Sequence, residues 1–209
     1  MKIYTSHNCS ATYRARIALH IKGVPYESEY VELDEQTGES SNEEFLAMNP
    51  DGTTPVIVEG RRIFRQGVPF LEYLEESYPS PSIIPGSNRD RERIRALATV
   101  IGSDIDALID PRATAYLAHR LNVSSEECTA WRRHWIHRGL QTLERLMEDN
   151  PGTARFCHGD VPTMADICLV SQVPELHRLG GSLDRYPTIA RVVENCMELE
   201  EFRLPAPKA

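Results

Sequence analysis

Of the side chains suited to nucleophilic chemistry in this 209-residue chain, five are cysteines, and Cys9 stands apart by position. It lies in "YTSHNCSATYRARIAL" (residues 4–19), where the apolar start "MKIY" runs through a polar turn into a segment carrying Arg14 and Arg16. A thiol between a strand and the first turn of a helix faces free N–H groups and the positive end of the helix dipole, and both favour a thiolate. The same place also suits a packed, inert thiol, so two readings stand. His7, two residues upstream, is near enough to assist or simply exposed. Together with Cys128, Cys157, Cys168 and Cys196, Cys9 makes five cysteines and no C-x-x-C pair, and the odd total and scatter argue against a disulfide framework or a zinc site. The other four cysteines are the ones that lie away from this turn. They read as small buried hydrophobes. His134 and His137 lie three apart on a helical segment with no third ligand spaced to them, so no metal is expected. "WRRHW" (131–135) reads as an ordinary helix face, and Cys157-His158 before "GDVPT" as structural.

The elements that must position these residues alternate in type over the first eighty or so positions. "KIYT" reads as a strand, and "SATYRARIALHIKG" as a helix with Ile17, Ala18 and Ile21 on one face, ending at Gly23. "YESEYVEL" alternates as a half-buried strand does. An acidic stretch and a short helix closing at "MNP" follow. "TPVIVEGRRIFRQ" reads as two strands around a turn at Glu59-Gly60, and "GVPFLEYLEESY" as a helix with Phe70, Leu71 and Leu74 inward. The expected order is β-α-β-α-β-β-α over residues 1–78.

"PSPSIIPGSN" breaks every periodic pattern around it and reads as a linker over residues 79–88. Residues 89–209 are expected to be helical throughout: "RDRERIRALATVIGSDIDALI", "CTAWRRHWIHRGLQTLERLMED", "TMADICLVSQVPELHRL" and "YPTIARVVENCMEL". Thr163 and Asp166 have capping-box spacing, which makes Asp166 a fold determinant rather than a catalyst. The fold class is α/β followed by all-α. A formal charge of −8 argues against a nucleic-acid binder, which needs a basic stripe. The N-terminal residues lack a signal-peptide core, and no apolar run reaches the roughly eighteen residues of a membrane span. A cytoplasmic protein is expected.

In "RIALHIKGVPY", "MNPDGTTPVIVEG", "FLEYLEESYPSPSIIP", "GSDID" and "GDVPTMADICLVSQV", taken in this order and spacing, the chain resembles the zeta-class glutathione transferases, the maleylacetoacetate and maleylpyruvate isomerases. The resemblance spans nearly the full length. It implies a thioredoxin-like domain, a C-terminal helical bundle, a homodimer, glutathione as cofactor and a small dicarboxylate as substrate. Rotation about a cis double bond becomes free when a thiolate adds to it. Such a site must supply the thiolate, donors for the developing oxyanion, and cations for the carboxylates. In the family the thiolate is that of glutathione, beside the start of the first helix, where an anion is favoured.

Aligned through "RIAL", the family's sulfur-binding serine falls on Cys9, its second serine on Ser10 and its cysteine on Ala11. The resemblance thus makes Cys9 and Ser10 the catalytic candidates, and Thr54, Pro55, Gln66, Gly67 and Asp106 the cofactor contacts. Thr54-Pro55 matches a Val-Pro pair with a cis bond. Gly67 replaces a serine that grips the γ-glutamyl group, a loss of about 1 kcal/mol. Asp106 stands where the family has glutamine or histidine, and its carboxylate repels an anionic ligand unless it is paired. Arg112 and Arg178 match two of three carboxylate-binding arginines; the third position is Asn8. Two other functions remain open: a cysteine-type transferase or thiol reductase using Cys9, and a glutathione-independent binding protein or isomerase.

Overall fold

The computed structural model describes residues 1–7 and 9–206. Strands β1 (Lys2–Thr5), β2 (Glu27–Tyr30), β3 (Val56–Glu59) and β4 (Arg62–Phe64) form one sheet in the order β2-β1-β3-β4. β1 pairs with β2 in parallel; the other two pairings are antiparallel. Helices α1 (Ser10–Ile21), α2 (Glu43–Met48) and α3 (Gly67–Ser77) complete the expected order. Ile3 and Ile57 face each other across β1 and β3, both fully buried, and join Ile17, Phe70, Leu71 and Leu74 in one core.

Two local expectations are corrected. All four residues of β2 are exposed rather than half-buried, because β2 is an edge strand. The hairpin turn consists of Gly60 and Arg61, one residue later than expected; Gly60 takes φ +58°, where glycine has no steric cost.

The stretch between α3 and the next helix has no regular structure, yet it is pinned. Ile83 and Ile84 are fully buried, and the Ile83 carbonyl accepts from the Met164 N–H at 2.7 Å. Beneath it the buried Lys22 ammonium donates to Glu75 at 2.8 Å and to the carbonyls of Tyr78 and Pro81 at 2.7 and 2.6 Å. Glu75 also accepts from the Ile83 N–H at 2.8 Å and from Ser82. The proline-rich segment is thus fastened to α1 and α3.

The rest is helical: α4 (Asn88–Thr99), a π-helical turn (Val100–Ile105), α5 (Asp106–Ile109), α6 (Pro111–His119), α7 (Ser125–Met147), α8 (Met164–Arg178), α9 (Pro187–Met197) and α10 (Glu200–Arg203). The long segment expected over residues 89–109 is therefore interrupted. Its π turn packs against glycines: a Cβ at Gly139 of α7 would lie 2.3 Å from Ile105 Cδ1. Gly102, within the turn, approaches Val68 of α3 as closely, where a Cβ would sit 2.5 Å from Val68 Cγ2. Such turns recur at functional sites, and this one precedes Asp106. The Thr163–Asp166 capping box is present: the buried Asp166 accepts from the Thr163 and Cys157 N–H groups, both at 2.8 Å. α1 packs on α8 as well as on α3, so the core is continuous from sheet to helices.

Burial alone would raise the Glu75 carboxyl, but hydrogen bonds from Lys22, Ser82 and Ile83 outweigh it and hold the group below its ordinary value. A folded-state value below the unfolded one stabilises at neutral pH, and that stability disappears as pH falls through the folded value. Glu75→Gln strands the buried ammonium and is expected to cost about 3 kcal/mol or more at pH 7. Urea unfolding should show a smaller deficit at acid pH, where the parent has lost the same pairing.

Candidate functional site

A cleft of about 190 Å³ opens between the start of α1 and the helices α5 to α8. Its walls carry Cys9, Ser10, Thr54, Asp106 and Arg178, so five of the sequence-expected residues meet there. Pro55, Gln66, Gly67 and Arg112 are not part of that lining. Asn8 lies outside the described residues.

Cys9 is the N-cap residue of α1, with extended backbone angles, but its side chain makes no bond to the helix N–H groups. Its thiol donates instead to the Thr54 carbonyl at 3.7 Å. The Thr54–Pro55 bond is cis, as the resemblance implies, and Thr54 Oγ1 shares a hydrogen bond with Ser6 Oγ at 2.7 Å. His7 lines the cleft but stacks on Tyr30, with ring centroids 4.9 Å apart. Cys128, Cys157, Cys168 and Cys196 are buried, and burial pushes Cys168 up to about 11.

Asp106 is not a lone charge. Arg14 of α1, only 2% exposed, pairs with it at 2.9 Å and also donates to Ser171 of α8 at 3.3 Å. Burial disfavours the Arg14 charge; Asp106 leads the groups that outweigh it, and the guanidinium stays above its ordinary value. The second carboxylate oxygen, Asp106 Oδ1, is buried and accepts no hydrogen bond among the described residues. Gln66 caps α3 and Gly67 begins it. A Cβ at Gly67 would lie 3.7 Å from Arg14 Nη1 and 3.9 Å from Ala11 Cβ, in ordinary contact. The start of α3 therefore borders the Arg14–Asp106 pair.

The two expected substrate arginines behave differently. Arg112 folds back on Asp110, the N-cap of α6, at 3.0 and 3.3 Å. The loop before α2 presses close to it: Gly38, at φ +74°, would place a Cβ 2.5 Å from the Arg112 nitrogen. Arg178 reaches the cleft and pairs with Glu175, three residues earlier on α8. Arg132 of α7 meets the same Glu175 from the other side. Sequence reasoning missed Arg132. It lies in "WRRHW", which reads in sequence as an ordinary helix face, and nothing in that spacing tells which arginine turns toward a cleft. Its neighbour Arg133 donates instead to the Leu179 carbonyl at 2.7 Å.

These groups can hold a peptide-like thiol. The orphaned Asp106 oxygen is an acceptor for an amide N–H, the first turn of α3 offers backbone donors to a carboxylate, and Thr54 lies beside the Cys9 thiol. The arginines opposite suit a carboxylated partner.

Residues 8–77 match the glutathione S-transferase N-terminal domain family and residues 111–195 the C-terminal domain family. The chain is 37% identical over 206 residues to a probable maleylacetoacetate isomerase of Vibrio cholerae, covering 99% of this chain and 95% of that one. It is also 37% identical to a maleylpyruvate isomerase of a Ralstonia species, with 100% and 98% covered. The crystal structure of the maleylacetoacetate isomerase of Methylobacterium extorquens AM1, with bound malonate and glutathione, superposes with a TM-score of 0.93 at 32% identity, covering 99% and 96%. The chain belongs to the zeta-class glutathione transferases.

Because Arg14 has no other carboxylate within ion-pair distance among the described residues, Asp106→Asn leaves a buried cation without its counter-charge. Asp106 is partly exposed, so the expected loss is about 2 kcal/mol, below that of a fully buried pair. Chemical unfolding at pH 7 measures it directly.

Proposed function

We propose that this chain is a glutathione-dependent cis–trans isomerase of a cis-enoyl dicarboxylate such as maleylpyruvate or maleylacetoacetate. The observation that carries this reading is one cleft holding a thiol donor at the start of α1 and arginines on the facing helices. The relatives' activities support it, as does the pairing of glutathione with malonate in the Methylobacterium enzyme.

In this reading residues 1–78 hold glutathione, residues 89–209 hold the substrate, and residues 79–88 join them. Thr54, Pro55, Gln66, Gly67 and Asp106 bind glutathione. Bound there, glutathione supplies the thiolate whose transient addition frees rotation about the double bond. Cys9 does not serve as nucleophile; its S–H turns from the Thr54 carbonyl to stabilise a sulfur anion, as a serine hydroxyl would. Ser10 supplies a second donor at the first turn of α1, where the helix dipole favours negative charge. Arg178 and Arg112 bind carboxylate, Arg112 after exchanging its contact with Asp110 for the substrate. At the sequence position of the family's third arginine stands Asn8, an amide in place of a cation. The enzyme works as a cytoplasmic homodimer.

Two experiments test the reading. Cys9→Ser keeps a donor and should retain most of the isomerisation of maleylpyruvate, whereas Cys9→Ala should lower kcat about tenfold through the lost hydrogen bond. Loss of activity in Cys9→Ser to the level of Cys9→Ala would instead assign the nucleophile to Cys9. Gly67→Ser fits without a clash and should tighten glutathione by about 1 kcal/mol, read by calorimetric titration.

A further inference from the structure

The carboxylate of Glu175 is 5% exposed and held on both sides, one oxygen by Arg132 and the other by Arg178. Arg132 comes from the middle of α7 and Arg178 from the end of α8, so the pair straddles the cleft wall. Glu175 is the only carboxylate within ion-pair distance of Arg132 among the described residues. Arg132 Nε is buried and has no hydrogen-bond partner there, while its side chain remains 32% exposed in the cleft. The other cleft carboxylates are already matched: Asp106 by Arg14 and Asp110 by Arg112.

We propose that Arg132 is a substrate-binding residue that takes a carboxylate of the dicarboxylate jointly with Arg178, while Glu175 acts as the positioning residue that spaces the two guanidinium groups. The assignment rests on the isomerase reading above, and it locates the carboxylate subsite on α7 and α8. A planar fork on each side of one anion gives it up to four N–H donors in fixed directions, which a lysine cannot reproduce. Glu175 is essential to that geometry. With both its oxygens spent on the arginines, it holds them apart without competing for the incoming anion's outer face.

The test titrates malonate calorimetrically into the glutathione-saturated protein and measures maleylpyruvate kinetics in parallel. Arg132→Ala should weaken malonate about tenfold or more and raise KM more than it lowers kcat, with glutathione affinity unchanged. Arg132→Lys should fall between the two, and Glu175→Gln should raise KM although both arginines remain. Arg138→Ala, an exposed change on the same helix, serves as the control and should alter neither. Circular dichroism reports whether Arg132→Ala folds; if it does not, Arg132→Lys carries the test. Malonate affinity in the folded variant within about twofold of the parent overturns the proposal, as does a parent that binds no malonate. A parent that binds malonate through Arg132 but does not isomerise maleylpyruvate would sink the isomerase reading and leave this subsite standing.

Discussion

Arg14 is the residue around which the two halves of the molecule are organised. A guanidinium taken out of water costs several kcal/mol unless charge and hydrogen bonds replace its hydration. Here the replacements come from the other half of the chain: Asp106 at the start of α5 and Ser171 on α8. α1 can therefore bury this charge only when the helices are docked on the sheet. Docking in turn sets the distance between the Cys9 end of α1 and the arginines of α7 and α8, which is the width of the cleft. One side chain thus couples stability, domain arrangement and site geometry.

Charge inside the cleft is arranged by the same logic. Every carboxylate in its wall has a cation: Asp106 has Arg14, Asp110 has Arg112, and Glu175 has two arginines. In an acidic chain this is the condition for an anionic ligand to approach at all, since unpaired carboxylates would repel it. Asp106 illustrates the point. As a sequence position it looks hostile to an anionic cofactor, yet its charge is spent on Arg14, and its free oxygen is left as an acceptor.

The start of α1 has a matching economy. The four remaining cysteines are buried, which leaves Cys9 as the half-buried thiol at the start of α1. Its thiol rests on the Thr54 carbonyl. A thiol so placed can donate a hydrogen bond as a serine hydroxyl at the same position would.

Much of this was legible in the sequence. The alternation of elements over the first eighty or so residues, the inward Phe70, Leu71 and Leu74, and the Thr163–Asp166 cap follow from local periodicity and capping chemistry, which act over three or four residues. The order and spacing of short motifs were enough to indicate the family. The exposure of β2 was not legible, because alternation gives a strand's faces but not whether anything covers them. Nor was the pinning of the proline-rich stretch, which depends on Lys22 and Glu75, residues from two separate helices or their ends. The site divides in the same way. Sequence determined which residue types stand at Cys9, Thr54, Asp106 and Arg178. Only the tertiary structure decided that Asp106 is paired, that Arg112 leans on Asp110, and that Arg132 joins Arg178 on Glu175. The reason is that an ion pair depends on distance in space, and these partners lie far apart in the chain or turn on a side-chain direction that no pattern encodes.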